Sequence, residues 1–223
     1  MGNDGQRLFI GARVSMTTVA ELAGTAEMLA RRASQANLRV KWVAPASYHV
    51  TLKFIGWVRR DAAEAIGDAM MRAAREPPFA FKTQRLGAFP TAEKATVVWA
   101  GIEDKSGGLA RLASAIDREL SDVGIAREKR AFHAHVTLGR LRDPADVSQV
   151  ILPFAEQVFS ETRLTEVVLF ESRTKSAGSE YSKIVSAPLF RAENAEKHQT
   201  HPVEPTPFDA SDDGWDRDSE RRH

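Results

Sequence analysis

The stretch Tyr48-His49-Val50-Thr51-Leu52-Lys53-Phe54-Ile55-Gly56 decides the fold, because its tetrapeptide His-Val-Thr-Leu returns as His135-Val136-Thr137-Leu138. Both copies sit in runs rich in β-branched and aromatic residues, which predicts strands over Tyr48 to Val58 and Phe132 to Leu141. Along a strand side chains alternate between faces, so His and Thr point one way while Val and Leu point the other, into a core. A polar pair is therefore presented on a sheet surface twice.

Working outward, Arg7 to Val14 alternates as a strand and is followed by a helix. Thr18 and Glu21 have capping-box spacing, and Leu22, Ala26, Leu29 and Ala33 fall on one helical face. Leu38 to Val43 reads as a strand leading through a turn at Pro45 to the first motif. Asp61 opens a second helix, with Ile66, Ala69, Met70 and Ala73 inward, and Pro77-Pro78 stops it. The same order then recurs, which points to duplication of a lobe. Phe79 to Thr83 and Thr96 to Gly101 are strands, Leu109, Leu112, Ile116 and Leu120 a helical stripe closed by Gly124, and the second motif follows. Asp143-Pro144 reads as the start of a further helix running to about Pro153. Strands near Gln157–Arg163, Glu166–Ser172 and Ser182–Pro188 complete the pattern. Without strict βαβ alternation this is an α+β fold with antiparallel sheets.

Composition narrows the function. The 223 residues contain no cysteine, which removes disulfide scaffolds, zinc ribbons and thiol nucleophiles. There is no apolar run long enough to span a bilayer, and Met1 to Gln6 carries no signal-peptide pattern, so a cytoplasmic protein with no membrane partner is expected. The formal net charge is +1. That total hides nine acidic against four basic residues from Ala192 to His223, which leaves 27 basic and 21 acidic residues in 1–191. The expected organisation is a basic, catalytic body over 1–191, suited to an anionic ligand, and an acidic, unordered tail over 192–223.

Taken singly, each His reads as a hydrogen-bonded core histidine and each Thr as a strand former. Two copies at corresponding positions of a repeated order instead read as a site. Imidazole titrates near neutrality, and a Thr hydroxyl can donate to an anionic oxygen. Two such pairs across a cleft supply a base, an acid and two donors, enough for in-line displacement at a phosphodiester without a metal or other cofactor. Two alternatives stand beside this. His133 and His135, at i and i+2 of the predicted strand, have a metal-site spacing and would need His49 or a distant carboxylate as third ligand, giving a metallohydrolase. A nucleotide- or RNA-end-binding protein with weak turnover is the other, and the intact His49 and His135 argue against it. Among the aromatics, Phe9, Trp42, Tyr48, Phe54, Phe89 and Trp99 include candidates for stacking a base. His198 and His201, in the acid-rich tail, read as solvated.

The paired motifs resemble those of the 2H phosphoesterase superfamily, and more closely its RNA 2′,3′-cyclic phosphodiesterase branch, the 2′-5′ RNA ligase family. Supporting stretches are Arg7-Leu-Phe-Ile, Lys41-Trp-Val, Gly87-Ala-Phe-Pro90, Val98-Trp-Ala-Gly101 and Val168 to Arg173 through Tyr181. The resemblance implies two pseudo-symmetric lobes, each giving one motif strand to a central cleft. It also implies hydrolysis of a terminal 2′,3′-cyclic phosphate to a 2′-phosphomonoester, on RNA 3′ ends or cyclic nucleotides, by a monomer. Carried over by position, His49 and His135 are the catalytic pair, with His135 as base and His49 as acid. Thr51 and Thr137 are the phosphate donors, and Arg140 pairs with phosphate charge. The family's basic residue and proline before the second histidine are here His133-Ala134, with Arg130 as a nearby basic residue.

Overall fold

The computed structural model describes residues 5–175 and 178–190. The expected acidic tail over 192–223, with His198 and His201, lies outside the described residues. Among the described residues nine strands form one sheet in the order β7-β4-β5-β6-β3-β1-β8-β9, with the short β2 added on β6, and every pairing is antiparallel. In chain order the strands are β1 Gly5–Arg13, β2 Val40–Trp42, β3 His49–Arg59, β4 Phe79–Phe89, β5 Ala95–Glu103, β6 His135–Ala145, β7 Val158–Leu164, β8 Glu166–Lys175 and β9 Gly178–Pro188. The helices are α1 Met16–Gln35, α2 Ala62–Ala73, α3 Gly108–Ser121 and the single turn α4 Ser148–Ile151. The α+β class is as the sequence indicates.

The two motif strands meet at the centre of the sheet. β3 and β6 pair at one rung, Val50 opposite Val136, and then diverge, and β2 takes over the edge of β6 at Gly139–Leu141. On one side of that rung lie β3, β1, β8 and β9, and on the other β6, β5, β4 and β7. These lobes are not halves of the chain. β8 and β9, from the C-terminal half, complete the first lobe, whereas β4 and β5, which open the second copy, stay with β6 in the second. The helices cross too: α3 packs on α2 and β3, while α1 packs against β7 and β2. The order does not strictly repeat, β1-α1-β2-β3-α2 being followed by β4-β5-α3-β6-α4, and the two lobes exchange parts.

Behind the motif surface Val50, Leu52, Val136 and Leu138 are all buried. Each contributes about 1.5–3 kcal/mol of burial. A one-residue slip of either strand would put imidazole and hydroxyl groups into this core, so the pattern fixes the register. The α3 stripe, Leu109, Leu112, Ile116 and Leu120, and the α2 stripe, Ile66, Ala69, Met70 and Ala73, join the same core.

Two helix starts differ from expectation. α1 begins earlier, at Met16, because the Ser15 hydroxyl oxygen accepts from Thr18 N–H at 3.1 Å. Thr18 and Glu21 serve β7 instead: the Thr18 hydroxyl donates to Ser160 O, and the Glu21 carboxylate accepts from both the N–H and the hydroxyl of Ser160. Asp143-Pro144 does not open a helix. Both residues extend β6, whose Ala145 still pairs with Ala95, and Asp146 accepts from Ser148 N–H at the start of the short α4.

Candidate active site

Because Val50 and Val136 share a rung, the residues flanking them form a square on the opposite face. The antiparallel register sets His49 across from Thr137 and Thr51 across from His135. Each histidine thus neighbours the other motif's threonine. His49, Thr51, Thr137 and Arg140 line one cavity of about 420 Å³, and Thr51 and His135 line an adjoining one of about 560 Å³. All five residues singled out from the sequence converge on this pair of cavities.

The two imidazoles are held alike. His49 Nδ1 lies 2.7 Å from Ser47 O and His135 Nδ1 lies 2.7 Å from His133 O, in each case the carbonyl two residues back. A carbonyl can only accept, so Nδ1 carries the proton in both neutral rings and Nε2 is left for chemistry. His49 Nε2 is 3.0 Å from Thr51 Oγ1. Burial pushes the His49 pKa down to about 4, with the charges of His135 and Arg140 acting in the same direction and the Ser47 carbonyl opposing them. Burial also lowers His135, helped by His133 and Arg140 and opposed by the His133 carbonyl. Both shifts favour the neutral imidazole in the free protein.

Arg140 reaches this face only because β6 bulges. Thr137 pairs with Trp99, but Gly139 pairs with Val98, so Leu138 is an extra residue and the alternation skips a beat. In a regular strand Thr137 and Arg140, three apart, would face opposite ways. β3 bulges at the matching place: Thr51 pairs with Gly11 and Lys53 with Ile10. Each motif strand therefore offers His at i, Thr at i+2 and a third residue at i+5, which is Phe54 in β3 and Arg140 in β6. The exposed Phe54 lines both cavities.

Aromatic rings from the neighbouring strands hold the histidines. Phe9 packs 4.8 Å from His49, and Tyr181 meets it edge-on at 5.2 Å. Phe89 meets His135 edge-on at 5.1 Å, with Trp99 beside it at 6.4 Å. Trp99 needs glycine on both sides: a Cβ at Gly87 would stand 2.3 Å from its ring, and one at Gly101 3.2 Å. The β3 bulge also turns Lys53 inward, where Nζ donates to Asp117 Oδ1 at 2.5 Å and to Ala126 O at 2.7 Å. This pair, buried at Lys53 and half-buried at Asp117, ties α3, and the segment leading to the second motif, to the first motif strand.

His133 precedes β6 rather than lying in it, packing 5.2 Å from Phe89 and lining the His135-side cavity with Arg130. It is thus not a strand neighbour of His135 as the sequence suggested. Among the described residues no three His, Cys, Asp or Glu side chains are grouped to hold a metal ion. Sequence reasoning missed Arg7, Ser172 and Tyr181, which line the His49 cavity. Arg7 and Phe9, two apart on β1, carried the same period-2 signal as the motifs. Ser172 and Tyr181 arrive through long-range pairing that no local pattern records.

Comparison with known proteins first defines the class. A Thermus thermophilus protein of known structure superposes with a TM-score of 0.69 at 22% identity, covering 83% of this chain and 99% of that one. Escherichia coli LigT in complex with 3′-AMP superposes with a TM-score of 0.62 at 23% identity, covering 84% and 99%. These likenesses establish the fold. An RNA 2′,3′-cyclic phosphodiesterase of Aeropyrum pernix is 33% identical over 128 residues, 57% of this chain and 72% of the relative. The family model of the 2′-5′ RNA ligase superfamily matches residues 21–175, and the chain belongs to that superfamily.

Proposed function

We propose that this chain is an RNA 2′,3′-cyclic phosphodiesterase, opening a terminal cyclic phosphate to a 2′-phosphomonoester by two-histidine acid–base catalysis. The observation that carries the reading is the square of His49, Thr51, His135 and Thr137 around one rung, with both imidazoles oriented through Nδ1 so that Nε2 is available. Curated relatives bearing that activity's name support the substrate class, and the 3′-AMP complex of LigT supports a nucleotide ligand in this fold.

For a 2′-phosphate product, water attacks phosphorus in line with the departing 3′ oxygen. His135 takes the proton from that water and His49 delivers one to the 3′ oxygen, after which the pair has exchanged charge. Thr51 and Thr137 donate to the non-bridging oxygens, and Arg140 offsets the charge gathering there with a guanidinium that can donate two parallel bonds. The phosphate anion supplies the counter-charge that lets His49, held near 4 in the free protein, take up a proton. Once protonated there, it is a strong acid toward the leaving alkoxide. No step calls for a cofactor, and every group comes from one chain, which fits a monomer working on the RNA ends of the cytoplasm. Turnover of an oligoribonucleotide 2′,3′-cyclic phosphate, with the product end identified, tests the reading.

A further inference from the structure

A third cavity, of about 530 Å³ and open to solvent, adjoins the site at Arg140, which lines both. It runs between α1 and the β2–β6 pair, over Ala30, Ala33 and Val40, and its charged lining consists of Arg39, Lys41, Arg140 and Arg142, with no carboxylate. Lys41 stands directly across the ladder from Arg140. Just past the last rung, Val40–Leu141, Arg39 and Arg142 follow on the two chains and line the same cavity. Two pairs of cations thus follow each other at about 7 Å, the spacing of alternate residues along a strand. Like charges directly opposite each other destabilise a sheet. Among the described residues none of the four forms an ion pair that would relieve them. A polyanion whose charges repeat at a similar interval would.

We infer that this groove carries the sugar-phosphate backbone of the RNA on the 5′ side of the cyclic end, with Arg39, Lys41 and Arg142 contacting successive phosphates. The inference rests on the proposed reaction for its direction, since Arg140 joins the groove to the reacting phosphate. Its consequence is a preference for polynucleotide ends over cyclic mononucleotides, arising from phosphate contacts that read no base. Phe54 and the exposed Trp57 lie along β3, which leaves the central rung in the opposite direction, and carry no such charge.

The test compares the full chain with its Arg39→Gln/Lys41→Gln/Arg142→Gln variant, all three positions being exposed. The probe is a 5′-fluorescein hexaribonucleotide ending in a 2′-phosphate, its affinity followed by anisotropy across salt concentrations. Losing three contacts should flatten the slope of log affinity against log salt by about 2. The kcat/KM for a hexanucleotide cyclic phosphate should fall about tenfold or more at low salt, while that for a 2′,3′-cyclic mononucleotide stays within about twofold. The charge-keeping Arg39→Lys/Arg142→Lys variant should hold the wild-type slope. An unchanged slope in the triple variant, or equal losses on both substrates, would overturn the groove. If wild type turns over neither substrate but the slope still flattens, the groove stands and the proposed reaction falls.

Discussion

At the scale of single residues, the distinctive feature is that the two histidines share a geometry without sharing an environment. Both donate Nδ1–H to the carbonyl two residues back, yet His49 sits among Phe9, Phe170 and Tyr181 while His135 faces Phe89 and Trp99. Replacing either with alanine should lower turnover at least about a hundredfold, since an acid or base partner contributes about 10²–10⁴. The double variant should be little worse than the singles because the pair acts as a unit. Multiplying losses would show two independent contributions. The pKa shifts set the pH dependence. The proposed reaction needs one imidazole neutral and one protonated, and burial lowers both in the free protein, His49 to about 4. The kcat/KM profile, which reports the free protein, should therefore be a bell centred on the acid side of 6.5. Bound phosphate opposes the depression, so the kcat profile should lie at higher pH. Coincident profiles centred above 6.5 would contradict the electrostatics described for the site.

At the scale of elements, two bulges do what the tetrapeptides alone cannot. The motif sequence announced the strands, the inward Val and Leu, and the shared face of His and Thr, because those depend only on a period of two. It did not announce that Arg140 would join that face or that Lys53 would leave it, because a bulge depends on pairing with a distant strand. Lys53 should behave as a structural residue: it is 5% exposed, and Lys53→Met takes the cation from the half-buried Asp117 carboxylate, which keeps the Glu128 N–H. A loss of about 1–3 kcal/mol in chemical denaturation is expected. Turnover should fall as well, since the bond to Ala126 O anchors the segment leading to His135. Gly139→Ala should act through β2. Its Cβ would stand 2.7 Å from Val40 Cγ1 and 3.0 Å from Trp42 Cε3, so β2 must shift off β6. Destabilisation of about 1–3 kcal/mol and a lower kcat/KM should follow, and wild-type values for both would show that β2 yields freely. The misplaced helix starts have a related cause: Thr18 and Glu21 fit a capping box, but tertiary bonds to Ser160 claimed them.

At the scale of the whole molecule, the repeat in the sequence was legible and its physical arrangement was not. The duplicated order predicted two lobes, yet α1, α3, β8 and β9 each serve the lobe that the other half of the chain begins. Such exchange leaves local patterns untouched, because a helix face or a strand face looks the same whichever lobe it covers. The consequence for the site is that both motif strands lie at the middle of one sheet, locked by a buried valine rung, so neither can shift without unseating the other. The central claim, a cyclic phosphodiesterase built from two histidines and needing no metal, is tested most directly in one reaction. The full chain is stripped with EDTA and incubated with an oligoribonucleotide ending in a 2′,3′-cyclic phosphate, and the product terminus is identified. The account predicts undiminished conversion to a 2′-phosphomonoester. Activity that disappears in EDTA and returns with zinc or manganese, or a 3′-phosphate as the product, would contradict it.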